Sequence, residues 1–382
     1  MVAMLRSIAL TSALLLATVA GSAAQTITLP PSGDNQRSEV IQQIGLVRAA
    51  VEYSSPDVHG PNGEDRRGKI WGGLVPWGIH DLGFNNRKGP WRAGANENTV
   101  FSVTHPIKIE GQALPAGRYG LHMLAGEKQW TVIFSKNSTS WGSFSYDAAE
   151  DVLRVTVTPE KAPYREWLTY DFTDRKPDRA TLALHWEELR VPFTIVVEDM
   201  PGLYIENMRR ELRNAQGFRW QSWQAAAQYC LQHNKNLPEA LTWAENAISL
   251  QFVGQANFTT YSTKAQILDK LSRSAEATTV MNTAMDLPNA LPIEIHQYGR
   301  RLITEGKSKE ALAVFQKNAK RFGDTWPVHV GLARGFSATG DYKTALKHAE
   351  IALTQAPDDI NKKSLTDAVA RLKQGQDMNA TR

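Results

Sequence analysis

Apolar and polar residues alternate with period two in the first half of the chain and follow the helical period in the second. Phe101 and Val103 oppose Ser102 and Thr104, and Trp130, Val132 and Phe134 oppose Thr131, Ile133 and Ser135. The same beat runs through Leu153, Val155 and Val157, then Leu168, Tyr170 and Phe172. It returns in Leu182, Leu184 and Trp186, and again in Phe193, Ile195 and Val197. Turn signals separate these runs at Glu110-Gly111, Pro115-Ala116-Gly117, Ala125-Gly126-Glu127 and Asp174 to Asp178. Short half-buried strands with tight connections predict an antiparallel all-β sandwich or barrel. No helical stretch alternates with them, which argues against a doubly wound sheet.

The second half repeats itself. Gly306 and Gly340 lie 34 residues apart, as do Ala311 and Ala345, and one more step of 34 reaches Ala277. Ala265, Leu268, Met281 and Ala284 sit at matching offsets, and a fourth unit surrounds Leu231, Ala240, Ala244 and Ala247. Small residues where paired helices cross, an aromatic in the second helix and a closing Pro357 give the tetratricopeptide spacing. The prediction is an all-β domain followed by an all-α tetratricopeptide-like helical repeat domain. Its boundaries read as a signal peptide over 1–24, an N-terminal linker over 25–47, the β domain over 48–200 and the repeats over 201–382. Met200-Pro201-Gly202 reads as the end of the last strand.

The start of the chain adds a location. Arg6 precedes an uncharged run from Ser7 to Ala20, and Ser22-Ala23-Ala24 offers small residues before Gln25. That three-part pattern predicts a cleaved export signal and an extracytoplasmic, periplasmic or secreted protein. The run is shorter than the roughly 20 residues of a membrane span, so no span is expected after cleavage. Cys230 is the only cysteine, which leaves no internal disulfide, and its Ala-rich helical setting reads as a packing thiol.

Charge changes the picture only between the halves. The formal net charge of the 382 residues is +4, too small and scattered for a nucleic-acid binder. From Pro201 onward, however, 23 Lys and Arg stand against 17 Asp and Glu, which favours an acidic partner on the repeats.

Candidate chemistry concentrates in the β half. Gly68-Lys69-Ile70-Trp71-Gly72-Gly73-Leu74-Val75-Pro76-Trp77-Gly78 is followed by Gly89-Pro90-Trp91-Arg92-Ala93-Gly94-Ala95-Asn96-Glu97-Asn98-Thr99. Then come Leu114-Pro115-Ala116-Gly117-Arg118-Tyr119-Gly120-Leu121-His122-Met123, the strand from Trp130, Ser140-Trp141-Gly142-Ser143-Phe144-Ser145-Tyr146, and the strand from Leu153. In this order the motifs resemble a bacterial domain family of unknown function, number 2911, over about residues 48–199. The resemblance implies an exported protein, sometimes with tetratricopeptide repeats after the domain, and no established activity. Ile79 to Lys88 departs from the family's pattern by separating the Pro-Trp-Gly and Trp-Arg elements, so a site built by them is expected to be rearranged.

Within the loop from Trp91 to Glu97, a guanidinium, an amide and a carboxylate lie a few residues apart beside indoles. Trp71, Trp91, Arg92, Asn96, Glu97 and His122 are therefore candidate ligand-binding residues for a small or polymeric ligand. The structural alternative is an Arg92–Glu97 pair with Asn96 capping a turn. His59, His80, His105, His122 and His185 lack metal-ligand spacing, so no metal and no cofactor is expected. His185 alternates with Leu184 and Trp186 and is expected at the surface, and Gly142-Ser143-Phe144-Ser145 is not a nucleophile elbow. The chain reads as an exported binding or scaffold protein, with a protein or peptide partner on the repeats. The alternative is a hydrolase of an envelope polymer, its site formed by the Trp91 to Glu97 loop and His122.

Overall fold

The computed structural model describes residues 35–83 and 87–380. The expected signal peptide lies outside the described residues. The chain divides into two compact units, one ending at Glu198 and the other beginning at Asp199.

The first unit is a sandwich of two antiparallel sheets. One sheet holds six strands: β1 (Gln36–Ile44), β2 (Val47–Ser55), β5 (Ala95–Val103), β8 (Gly117–Leu124), β9 (Trp130–Ser135) and β10 (Asp151–Val157), in that spatial order. The other runs β11 (Glu160–Lys176), β12 (Arg179–Val196), β6 (Ile107–Ile109) and β7 (Gln112–Leu114). A two-stranded ribbon, β3 (His80–Asp81) with β4 (Lys88–Gly89), stands apart. It is built from the segment that departs from the family pattern. β1 occupies much of the stretch read as a linker and pairs along its whole length with β2.

The inner faces meet through aromatic rings. Phe134 of β9 lies 5.9 Å from Phe193 of β12, and Tyr53 of β2 lies 4.9 Å from Tyr170 of β11. Edge strand β10 shows the clean alternation of one open face: Leu153, Val155 and Val157 are buried while Arg154 and Thr156 are exposed. In β9 and β12 both faces are covered, so Ile133 is buried along with Val132 and Phe134. For the same reason His185 is buried rather than at the surface, with Nε2 3.3 Å from Asp171 Oδ1. The runs around Leu184 and Ile195 belong to one 18-residue strand, not two.

The second unit is helical, with ten helices among the described residues. Met200-Pro201-Gly202 opens α1 (Met200–Glu211) instead of closing a strand: Pro201 occupies the first turn, where its missing N–H costs nothing, and Asp199 caps it by accepting from the Gly202 N–H at 3.0 Å. Four helix pairs follow: α2 (Trp220–Gln232) with α3 (Leu237–Ser249), α4 (Phe258–Lys270) with α5 (Ser274–Asp286), α6 (Pro292–Thr304) with α7 (Ser308–Phe322), and α8 (Trp326–Ala338) with α9 (Tyr342–Thr354). α10 (Asp359–Lys373) completes the stack.

The 34-residue register is visible in the core. Ala277, Ala311 and Ala345 are all buried at equivalent points of α5, α7 and α9. Ser272, Gly306 and Gly340, also spaced by 34, turn the chain between paired helices with φ of 62°, 76° and 87°. Only glycine enters that left-handed region without a Cβ penalty, so Ser272 carries strain its counterparts avoid. Phe315 locks the centre. Its ring is fully buried, and a Cβ placed on Gly299 of α6 or on Gly331 or Gly335 of α8 would come within 2.4, 2.6 and 2.8 Å of it. Cys230 is a buried free thiol, and burial pushes it up to about 11, so it is unreactive at neutral pH.

Candidate functional site

The Trp91 to Glu97 loop is held from several sides. Trp91 exchanges both backbone hydrogen bonds with Met123 of β8, at 3.0 and 2.9 Å, and its indole N–H donates to the Gly94 carbonyl at 3.2 Å. The Ala93 carbonyl accepts from the Tyr170 hydroxyl at 2.8 Å and from Thr99 Oγ1 at 3.2 Å. Ala93 and Asn96 both adopt left-handed backbone, φ 53° and 55°. Such conformations cost of order 1–3 kcal/mol each and persist where the surroundings fix them.

This loop borders a cavity of about 320 Å³, at the small end of ligand-sized sites. Trp91, Arg92 and Asn96 line it, while Trp71, Glu97 and His122 do not. Trp71 instead sits among three other indoles, 6.0 Å from Trp91, 5.2 Å from Trp130 and 5.6 Å from Trp186. The Gly68 N–H, donating to the Glu187 carboxylate, ties the Trp71 segment to β12. The second aromatic wall of the cavity is Trp186, stacked on Trp91 at 6.3 Å and 16°.

Arg92 and Glu97 do not pair. Arg92 Nη1 donates to the Asn96 carbonyl at 2.6 Å, and the guanidinium lies over the Phe144 ring at 5.1 Å. Glu97 turns away, accepting from Ser54 Oγ at 2.8 Å with Arg37 3.8 Å distant. Burial opposes its ionisation, but hydrogen bonds from its own N–H and Ser54, with the charge of Arg37, hold the carboxyl below its usual range. Gly142 makes room for Arg92, because a Cβ there would sit 2.5 Å from the guanidinium carbon, and its φ of 57° disfavours any other residue.

His122 lies behind the cavity, fully buried, with Nδ1 2.9 Å from the hydroxyl of Ser143, which does line the cavity. Burial and the Arg92 charge push the imidazole down to about 4, so it is neutral at pH 7. His80, on the inserted ribbon, also lines the cavity and has a buried Nδ1 without a partner among the described residues. Sequence reasoning missed Ser143, His80 and Trp186 as cavity residues. Trp186 arrives from β12, His80 from the inserted ribbon and Ser143 from the turn between β9 and β10, and only the departure at Ile79 to Lys88 hinted at His80. Among the described residues no three His, Cys, Asp or Glu side chains converge as a metal site would require.

The helical unit has its own concavity, a groove of about 790 Å³ lined by α6, α8 and α10. Arg300, Arg334 and Arg371 line it beside His296 and Trp326, against a single carboxylate among the described lining residues, Asp367. Arg300 and Arg334 stand 34 residues apart, at the same place in successive repeats. Arg334 Nη1 donates to Asn379 Oδ1 at 3.1 Å and Arg371 Nη1 to the Ala380 carbonyl at 2.9 Å. Among the described residues none of the three has an acid within ion-pair distance. Burial and the neighbouring Arg300 charge lower Arg334, and burial with the charges of Arg334 and Arg300 pushes His296 down to about 4.

With this geometry in hand, comparison with known proteins identifies the first unit. Residues 35–195 match the family described as protein of unknown function (DUF2911). The first unit is a DUF2911 domain. No curated protein matches the chain. A solved structure described as "YrrB: a TPR protein with an unusual peptide-binding site" is similar at 17% identity, covering 44% of this chain and 89% of its own, with a TM-score of 0.29. That likeness is too slight to inform the groove of the helical unit; the repeat assignment stands on the helix pairs and their 34-residue register. Among the described residues no helix is long and apolar enough to cross a membrane.

Proposed function

We propose that the protein is an exported scaffold: the helical unit holds an acidic segment of a partner protein, and the DUF2911 domain is a ligand-binding module. Export is supported by Arg6, the Ser7 to Ala20 run and the Ser22-Ala23-Ala24 exit. The observation that carries the partner reading is the groove lined by three arginines and one carboxylate, Asp367, with no acid paired to the arginines among the described residues. A carboxylate-bearing chain laid there replaces water around these cations with charge-assisted hydrogen bonds, each worth about 1.5–3 kcal/mol. Arg300 is exposed and its guanidinium has no hydrogen bond among the described residues, so its removal tests binding with little effect on folding.

Fluorescence anisotropy with labelled Asp/Glu-rich peptides and their Asn/Gln counterparts is the test. The acidic peptides should bind at least about tenfold tighter at low salt, a preference that Arg300→Ala reduces and added salt screens. Equal affinity for both peptide sets would end the reading.

The hydrolase alternative has one observation in its favour, the Ser143–His122 hydrogen bond. General-base catalysis works best with a group poised near the working pH. An imidazole pushed down to about 4 and sealed behind the hydroxyl is a weak base, and Glu97, bound to Ser54, is not placed to assist. Binding is the better-supported role.

A further inference from the structure

We propose that the cavity of the DUF2911 domain binds a small organic monoanion, a carboxylate carried on a flat apolar body. This rests on reading that domain as the ligand module and is independent of the groove in the helical unit.

The first reason is the charge of the lining. Among the described residues Arg66 and Arg92 border the cavity and no carboxylate does. Arg66 is already tied to Glu64, with Nε 3.1 Å from Oε2. Arg92 is half-buried, and among the described residues no acid lies within ion-pair distance of it. Burial alone shifts it, downward, with no neighbouring acid to offset the loss of water. A half-buried cation that faces no acid has lost part of its water, and an anionic ligand would restore that stabilisation.

The second reason is the shape of what Arg92 still offers. Nη1 is taken by the Asn96 carbonyl, while Nε and Nη2 have no partner among the described residues. That edge of the guanidinium is the fork that grips one carboxylate through two parallel hydrogen bonds. One free fork accommodates one carboxylate.

Thirdly, the remaining walls are largely apolar. Trp91 and Trp186 form an aromatic side, and Leu74, Val75 and Leu82 face the same space. The Ser143 hydroxyl and the His80 Nδ1, without a partner among the described residues, add two polar groups that orient a ligand. About 320 Å³ admits a single-ring acid. The strained loop of Ala93 and Asn96 holds Arg92 in place beforehand, so little ordering is left for the moment of binding.

Titration calorimetry of the intact protein with benzoate, phenylacetate and the neutral isostere benzamide provides the test, with tryptophan fluorescence as a second readout. Benzoate or phenylacetate should bind saturably, at least about tenfold tighter than benzamide, and perturb Trp91 and Trp186 emission. Arg92→Gln should abolish the preference for the acid, and Arg92→Lys should keep part of it, since the charge remains and the fork is lost. If Arg92→Gln fails to fold, the acid-to-amide ratio in the natural protein and the Lys variant still decide. Benzamide binding as tightly as benzoate would overturn the anion assignment while leaving a ligand module. Saturable binding of phenyl phosphate alone would overturn the carboxylate. Absence of binding by every probe would overturn both the inference and the module reading, whatever the acidic peptides do at the groove.

Discussion

Removing the ring of Phe315 tests whether the helical unit is held by one central contact. Phe315→Ala leaves a void between α6, α7 and α8, where Gly299, Gly331 and Gly335 bring the backbones against the ring. A fully buried Phe reduced to Ala costs about 3–5 kcal/mol, transfer and cavity together. The reciprocal change, Gly331→Ala, sets a Cβ 2.6 Å from the Phe315 ring and 3.1 Å from His296 Nδ1. Overpacking of that kind costs about 1–3 kcal/mol, against which Ala returns about 1 kcal/mol of helix propensity. In the natural background, then, Gly331→Ala should destabilise by up to about 2 kcal/mol. In the Phe315→Ala background the ring is gone and the new methyl enters vacated space, so the same change should stabilise by about 1 kcal/mol. Urea unfolding of the intact protein followed at 222 nm measures all four chains. A Gly331→Ala effect of the same sign and size in both backgrounds would refute the packing argument. Because α6 and α8 also carry Arg300 and Arg334, Phe315→Ala should weaken acidic-peptide binding as well.

Acid should loosen both units. His122 and His296 each fall from 6.5 to about 4 on folding, so the unfolded chain binds more protons between those values. Their contribution is complete above pH 6.5 and is lost as pH falls toward 4, at most about 3 kcal/mol each. A melting temperature equal at pH 7.5 and 4.5 would contradict this, and His122→Asn should flatten the dependence of the β unit alone. At the last inter-helix turn, Gly340→Ala forces a Cβ into φ 87° and should cost about 1–2 kcal/mol, readable in the same urea titration. A cost below a few tenths would mean the turn relaxes. At the cavity, Gly142→Ala should displace the Arg92 guanidinium and weaken benzoate about as much as Arg92→Lys does, and unchanged affinity would place the anion elsewhere.

The sequence alone determined those features that depend on local periodicity. A strand with one open face writes its burial as alternation, which is why β10 could be read residue by residue. Repeated helix pairs write theirs as a fixed offset, and Ala277, Ala311 and Ala345 are buried where that offset puts them. Where both faces are covered, alternation disappears, and His185 and Ile133 were hidden for that reason. The cavity was legible only in the loop that carries Arg92. Its other walls come from β12, the inserted ribbon and the turn at Ser143, brought together by sheet pairing and bridges between distant segments. Adjacency in sequence even misled: Arg92 and Glu97 are five residues apart, yet the left-handed Ala93 and Asn96 between them send their side chains to different partners. The groove shows the same division. Two of its arginines share a repeat position that the sequence displays, while the third, Arg371, joins them only because α10 stacks on the last pair. Periodicity records how much of each residue is covered; which residues meet is decided by register, stacking and the turns that set them.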